Sequence, residues 1–185
     1  MRTPTQPLSK LSYGIDARDR LESIDATWCD FANKNGGEEL AGESVLGKSL
    51  WDFISDQETA HLYKVLVSKV RRTGETLALP FRCDSPEFRR YLQLKMSPSA
   101  NGGVQFVSET LREEQRRPIQ LLNGHGDPQS SFLIICSWCK RIEITSGWVE
   151  AEFAIAVLGL FDESLMPQLS HAMCPDCRRI VEAQL

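Results

Sequence analysis

The sequence predicts an α+β chain in two parts. An antiparallel sheet with helices on one face comes first, and a small α/β module follows it. Three observations lead there. Over the first two-thirds, a strand pair, short helices, one long helix and a strand meander follow one another, an order that closes a single antiparallel sheet. The last quarter carries Cys136-Ser-Trp-Cys139 and His171-Ala-Met-Cys174-Pro-Asp-Cys177, two Cys-x-x-Cys pairs separated by 34 residues. The stretch holding them, 132–185, is too short for a large apolar core, so a small module there needs a staple.

Composition narrows the class. Among 185 residues, 42% are hydrophobic and 25% charged, as in an ordinary globular protein. The longest apolar run, Ala154–Phe161, falls far short of the ~20 residues of a membrane span. The N-terminal Met1-Arg-Thr-Pro-Thr-Gln-Pro7 lacks the apolar stretch of a secretory signal, so a cytoplasmic location is expected. The formal charge of −4 offers no electrostatic footprint for nucleic acid. The tail is acidic too, with Lys140, Arg141, Arg178 and Arg179 outnumbered by its carboxylates. That argues against a nucleic-acid-binding ribbon.

Each element has a local reason. Residues 1–10 carry two prolines and no pattern, and read as a flexible lead-in. Leu11, Tyr13 and Ile15 alternate, and Arg20–Asp25 follows a turn-prone Arg18-Asp19 step, so the two form a strand pair. Trp28, Phe31 and Ala32 are spaced for a short helix, which Asn35-Gly36-Gly37 ends. Val45–Ile54 is short, apolar and helical after Gly47. Ser55-Asp-Gln-Glu58 is a capping box opening the longest helix, with Leu62, Val65, Leu66 and Val70 as its stripe and Gly74 as its stop. Thr76–Cys83, Phe88–Met96 and Val104–Val107 are strands, the last two joined at Asn101-Gly102-Gly103. Pro80 cannot donate to a ladder, so its strand belongs at an edge or carries a bulge. Glu109–Arg117 alternates charge and reads as a helix that Pro118 interrupts, and Asn123–Pro128 reads as a linker. In the tail, Phe132–Ile135 is a strand, Trp148–Leu160 a helix, and Arg178–Ala183 begins another. The expected organisation is therefore 1–10 flexible, 11–112 sheet domain, 113–131 exit helix and linker, and 132–185 metal-binding domain.

The paired cysteines carry the sharpest chemistry. A two-residue gap lets a tight turn aim both sulfurs at one point, and two such turns complete the tetrahedral S4 cage that zinc favours. Cys136, Cys139, Cys174 and Cys177 are the expected ligands of a structural zinc. Iron in the same cage is the alternative, and His171 is a neighbour that could support or replace a sulfur. Disulfides are disfavoured in a reducing compartment, and a redox dithiol needs only one such pair. Four thiolates close the cage, so no position is left for catalytic water. With no phosphate loop, nucleophile elbow or metalloprotease motif in the chain, no enzyme is expected.

From Leu11 to Leu111 the order and residues resemble a PAS domain. The resemblance rests on the strand pair, Trp28-x-x-Phe31-Ala, Leu46-Gly-Lys-Ser-Leu-Trp51, the capped helix, and the meander closing on Phe106-Val-Ser-Glu-Thr110. Arg82-Cys-Asp-Ser-Pro86 with Arg89-Arg90 is similar to a bacterial single-PAS subgroup, and the tail resembles the cysteine segment that follows PAS and receiver domains. The resemblance implies a sheet of order 2-1-5-4-3 with Pro80's strand at its edge. It further implies a signalling module acting as a homodimer on an unknown partner protein, with the charged exit helix as one contact surface. A small-molecule pocket would be lined by Trp28, Phe31, Trp51, Phe81 and Phe106. His61 stands on the helix that supplies the axial ligand in haem-binding members, so a haem- or thiol-based redox sensor is the alternative. The flavin motif of photoactive members is absent, and Cys29 and Cys83 read as small core residues.

Overall fold

The computed structural model describes residues 9–34, 40, 42–54, 57–123, 131–160 and 166–185. Residues 1–8 of the expected lead-in, the Asn35-Gly36-Gly37 stop, the Ser55 cap and all of the Asn123–Pro128 linker but Asn123 lie outside them. Strands β1 (Lys10–Ile15) and β2 (Leu21–Ile24) form the first hairpin. Its turn is built by Asp16, whose carboxylate accepts from the Arg18 and Arg20 amides at 2.8 and 2.9 Å, while Asp19 takes a left-handed φ of 62°. These amides, Arg20's foremost, hold Asp16 below the usual carboxylate range. Asp25 then starts helix α1 (Ala26–Lys34), one oxygen accepting from the Trp28 amide and the other from Ser12 on β1.

After a 3-10 turn at Leu50–Phe53, helix α2 (Gln57–Thr73) buries Ala60, Leu62, Leu66, Val67 and Val70. Gly74, at φ 71°, ends it by donating to the Val70 carbonyl. Strands β3 (Leu77–Arg82), β4 (Phe88–Pro98) and β5 (Val104–Gln115) complete a five-stranded antiparallel sheet of order β2-β1-β5-β4-β3. This is the order expected, and β3 with Pro80 is an edge strand. The period-two pattern sets the face that α2 covers: Leu79 pairs with Leu94, Met96 with Phe106, and Ile15 with Val104, and all six side chains are buried. Phe106 stacks on Tyr13 at 4.6 Å.

Residues 109–115, expected as a helix leading out of the domain, are strand. The charges that suggested helical pairing satisfy one another across the β4–β5 ladder instead, Arg90 with Glu113 and Arg89 with Glu114, and Arg112 lies over the Tyr91 ring at 4.2 Å. Nor is the segment after Pro118 all linker, because Ile119 and Leu121 are buried in the core of the tail.

That tail is a second sheet, order β8-β7-β6-β9, of strands β6 (Phe132–Cys136), β7 (Ile142–Ile144), β8 (Gly147–Val149) and β9 (Gln168–Ala172). Strands β6 and β9 run parallel. Helix α3 (Ala151–Leu158) packs against β7, and Gly159 closes it at φ 67°. Trp148, expected on this helix, sits in β8. Helix α4 (Pro175–Glu182) follows the second cysteine turn. No helix among the described residues is long and apolar enough to cross a membrane.

The two parts share a core. Trp138, Met173 and Val181 of the tail join the same buried cluster as Leu66, Leu79 and Phe106. Charges seal the seam: Arg82 meets Asp84 and Glu150, Arg89 meets Glu150 and Glu152, and Arg116 meets Asp84 and Glu152. Glu58 of α2 pairs with Arg178 and accepts from the Met173 amide.

Candidate metal centre

The parallel pairing of β6 with β9 assembles the site. It sets Cys136, the last residue of β6, opposite Ala172, so the chain leaving β9 reaches the cage within two residues at Cys174. The first turn is tight: the Lys140 amide returns to the Cys136 carbonyl at 2.9 Å, and Lys140 takes a left-handed φ of 61°. The second opens α4, with Cys174 as N-cap and Pro175 at the first helical position.

The four sulfurs of Cys136, Cys139, Cys174 and Cys177 lie within 4.8 Å of one another and can hold a metal ion. Cys139 Sγ and Cys174 Sγ are 3.7 Å apart. A tetrahedron with metal–sulfur bonds of ~2.3 Å has edges of ~3.8 Å, so this spacing suits an S4-bound zinc or iron. Backbone amides point inward as well: Cys139 and Cys174 donate to Cys136 Sγ at 3.5 and 3.4 Å, and Cys177 donates to Cys174 Sγ at 3.5 Å. The donor set therefore favours negative sulfur. The thiols of Cys139 and Cys177, with these amides, pull Cys136 far below its ordinary value. Cys139 is correspondingly pushed up to about 12 by its bond to Cys136, and Cys177 is raised for the same reason. A metal would displace the protons shared among them.

Arg141 balances the cage. Partial burial works against its charge, but Cys139, Glu150 and Cys174 outweigh this and raise its pKa. Its guanidinium reaches Asp176 at 3.3 Å and Glu150 at 3.6 Å. His171 is exposed on β9, paired with Ile135, and is not among the four ligand residues that converge.

The pocket residues divide. Trp28, Phe31 and Phe81 line a cavity of about 610 Å³ between α1 and the sheet, together with Leu92, Cys83 and Arg90. Arg90 is held there by Glu113 at 2.5 Å. Trp51 stands elsewhere, its indole donating to Asp19, and Phe106 is wholly buried in the core. His61 is exposed on the solvent side of α2 and lines neither this cavity nor the polar cleft beside it. The buried stripe of α2 runs through 59, 60, 62, 66, 67 and 70, which leaves position 61 facing water, unsuited to ligating a haem in the cavity.

Sequence reasoning gave no role to Trp138, Arg141, Asp84 or Glu150. A tryptophan inside a Cys-x-x-Cys turn was a usable signal, since a large apolar side chain there needs a surface to cover it. No protein-family model matches this sequence, and comparison with curated proteins finds no match.

Proposed function

We propose that this chain is a non-enzymatic bacterial signalling protein, a PAS-type sensor whose sheet domain is fused to a structural zinc module. It acts as a homodimer through contact with a partner protein. The observation that carries this reading is the 610 Å³ cavity, apolar along Trp28, Phe31, Phe81 and Leu92 and polar at Asp30 and the Arg90–Glu113 pair. Such a lining suits a small molecule with an aromatic or aliphatic body and a neutral polar end. The strand order supports the assignment to the class, and a cage closed by four sulfurs supports a structural role for the metal.

The test has two arms. Native mass spectrometry of the full chain with zinc is expected to show a dimer with one zinc per chain, and Cys139→Ser is expected to lose the metal. A thermal-shift screen of neutral aromatic and aliphatic small molecules is expected to yield stabilisers whose effect disappears in Phe31→Ala, which removes one wall of the cavity. A chain that takes up no metal removes the zinc module. A screen in which no such molecule stabilises the protein removes the proposed ligand class.

A further inference from the structure

Trp138 belongs to both sites at once. Its neighbours in the turn are metal-site residues, yet its side chain leaves the cage and is only 3% exposed. The indole N–H donates to the Pro80 carbonyl at 2.5 Å, and the Trp138 carbonyl accepts from the Arg82 amide at 2.9 Å. Strand β3 is the last strand of its sheet, so these two bonds occupy backbone groups that no neighbouring strand reaches. The ring meets Tyr63 edge-on at 5.6 Å and lies 6.3 Å from Phe81. Phe81 is itself a wall of the cavity. One residue thus covers the open edge of β3 at Pro80 and Arg82, and its ring stands behind Phe81 of the cavity wall.

What holds Trp138 there is the turn around it. That turn contains a left-handed lysine, a conformation costing an L-residue roughly 1–2 kcal/mol. It is braced by the Cys139 and Cys174 amides, which donate to Cys136 Sγ at 3.5 and 3.4 Å, so a metal that fixes Cys136 Sγ fixes the turn. The rest of the tail is anchored separately, by Arg82 and Arg89 to Glu150 and by Lys69 to the Gln184 carbonyl. Loss of the metal would therefore loosen the turn while the module stays attached.

We propose that the metal centre is a latch on the cavity. Metal binding seats Trp138, which closes the β3 edge and fixes Phe81 in the cavity wall, and metal release frees both. This rests on the reading of the four cysteines as a metal site.

The experiment is hydrogen–deuterium exchange of the full chain, zinc-loaded and after chelation, with peptide-resolved maleimide labelling of Cys83 alongside. Cys83 lines the cavity next to Arg82, and Cys29 on α1 serves as the control thiol. Metal removal is expected to speed exchange in the peptide 77–83, and labelling of Cys83, about tenfold, the scale of one lost hydrogen bond, with β1 and β2 unchanged. Trp138→Phe keeps a ring but loses the donor; it is expected to bind zinc and to exchange fast over 77–83 in both states. Phe81→Leu is expected to keep the metal response of that peptide and lose that of Cys83. If zinc binds and its removal leaves 77–83 unchanged, the latch is overturned and the metal site stands. Loss of protection across β1 to β5 overturns it too, because the metal then supports the whole fold. A chain that binds no zinc overturns the metal reading itself.

Discussion

Arg82 donates to both carboxylate oxygens of Glu150, at 3.0 and 2.8 Å, across 68 positions of sequence. The same guanidinium bonds Asp84, whose side chain is only 1% exposed. One cation at the end of β3 therefore neutralises its own strand's turn and the start of α3. Replacing it leaves the buried Asp84 with only Arg116 and the Arg90 amide.

For that reason Arg82→Met is expected to lower stability by about 1.5–3 kcal/mol, the scale of hydrogen bonds lost from a charged group whose partners keep other cations. Glu150→Gln should cost less, because Glu150 is half-buried and the amide still accepts a bond. Urea unfolding of the two variants checks the ranking. Equal losses would mean that Asp84 is not what Arg82 serves.

Glu152 gives the seam a pH dependence. Burial works to raise its pKa, but the bond from its own backbone amide and the charges of Arg89 and Arg116 prevail and lower it. A carboxylate depressed by folding adds stability above its unfolded value of ~4.3, and that stability is lost as pH falls through the folded value. With Glu152 partly exposed, the effect should stay within about 1 kcal/mol. Glu152→Gln is expected to flatten the acid limb of stability between roughly pH 5 and 3. Denaturant titrations across that range measure it.

Gly103 tests the sheet. A Cβ there would stand 2.6 Å from the Ile15 carbonyl and 3.2 Å from that of Ala100, both backbone atoms. Gly103→Ala should cost about 1–3 kcal/mol as β1 and β5 shift apart. At Gly14 the nearest atoms are the side-chain ends of Ser23 and Gln105, which can move. Thermal melts should place Gly14→Ala well above Gly103→Ala.

Cys174 is both one of the four clustered sulfurs that can hold a metal and the N-cap of α4. Serine still caps a helix, so Cys174→Ser should lose metal while α4 keeps its start. Cys174→Ala should lose metal and a further ~1 kcal/mol. Metal content by emission spectroscopy, with chelator-treated unfolding curves, separates the two losses.

Much of the architecture was legible because local chemistry leaves few choices. Pro80 has no amide hydrogen, which left β3 an edge or a bulged strand, and it is an edge. Two cysteine pairs at turn spacing marked the cage before any contact was visible. The C-terminal half of β5 was not legible, since Arg112, Glu113 and Glu114 suit a solvated helix as well as a ladder, and only the length of β4 decides. The parallel pairing of Gln168–Ala172 with β6 was hidden for the same reason, as a short polar strand is specified by its partner. Nor did residue spacing show that Arg82, Asp84 and Glu150 would share one seam, because such long-range pairing leaves no periodic trace. His61 lies on the helix expected, and its exposure was not legible because it sits beside the apolar stripe.

The parallel register of β6 and β9 has a consequence for the site. Parallel strands require a crossover, so β7, β8 and α3 lie between the two strands that set Cys174 beside Cys136. Such non-local pairing is slow to nucleate. A one-residue slip would turn every β9 side chain to the opposite face and shift the second turn off the first. The four sulfurs therefore converge only where β6 and β9 are in register, and high-affinity metal binding reports that register.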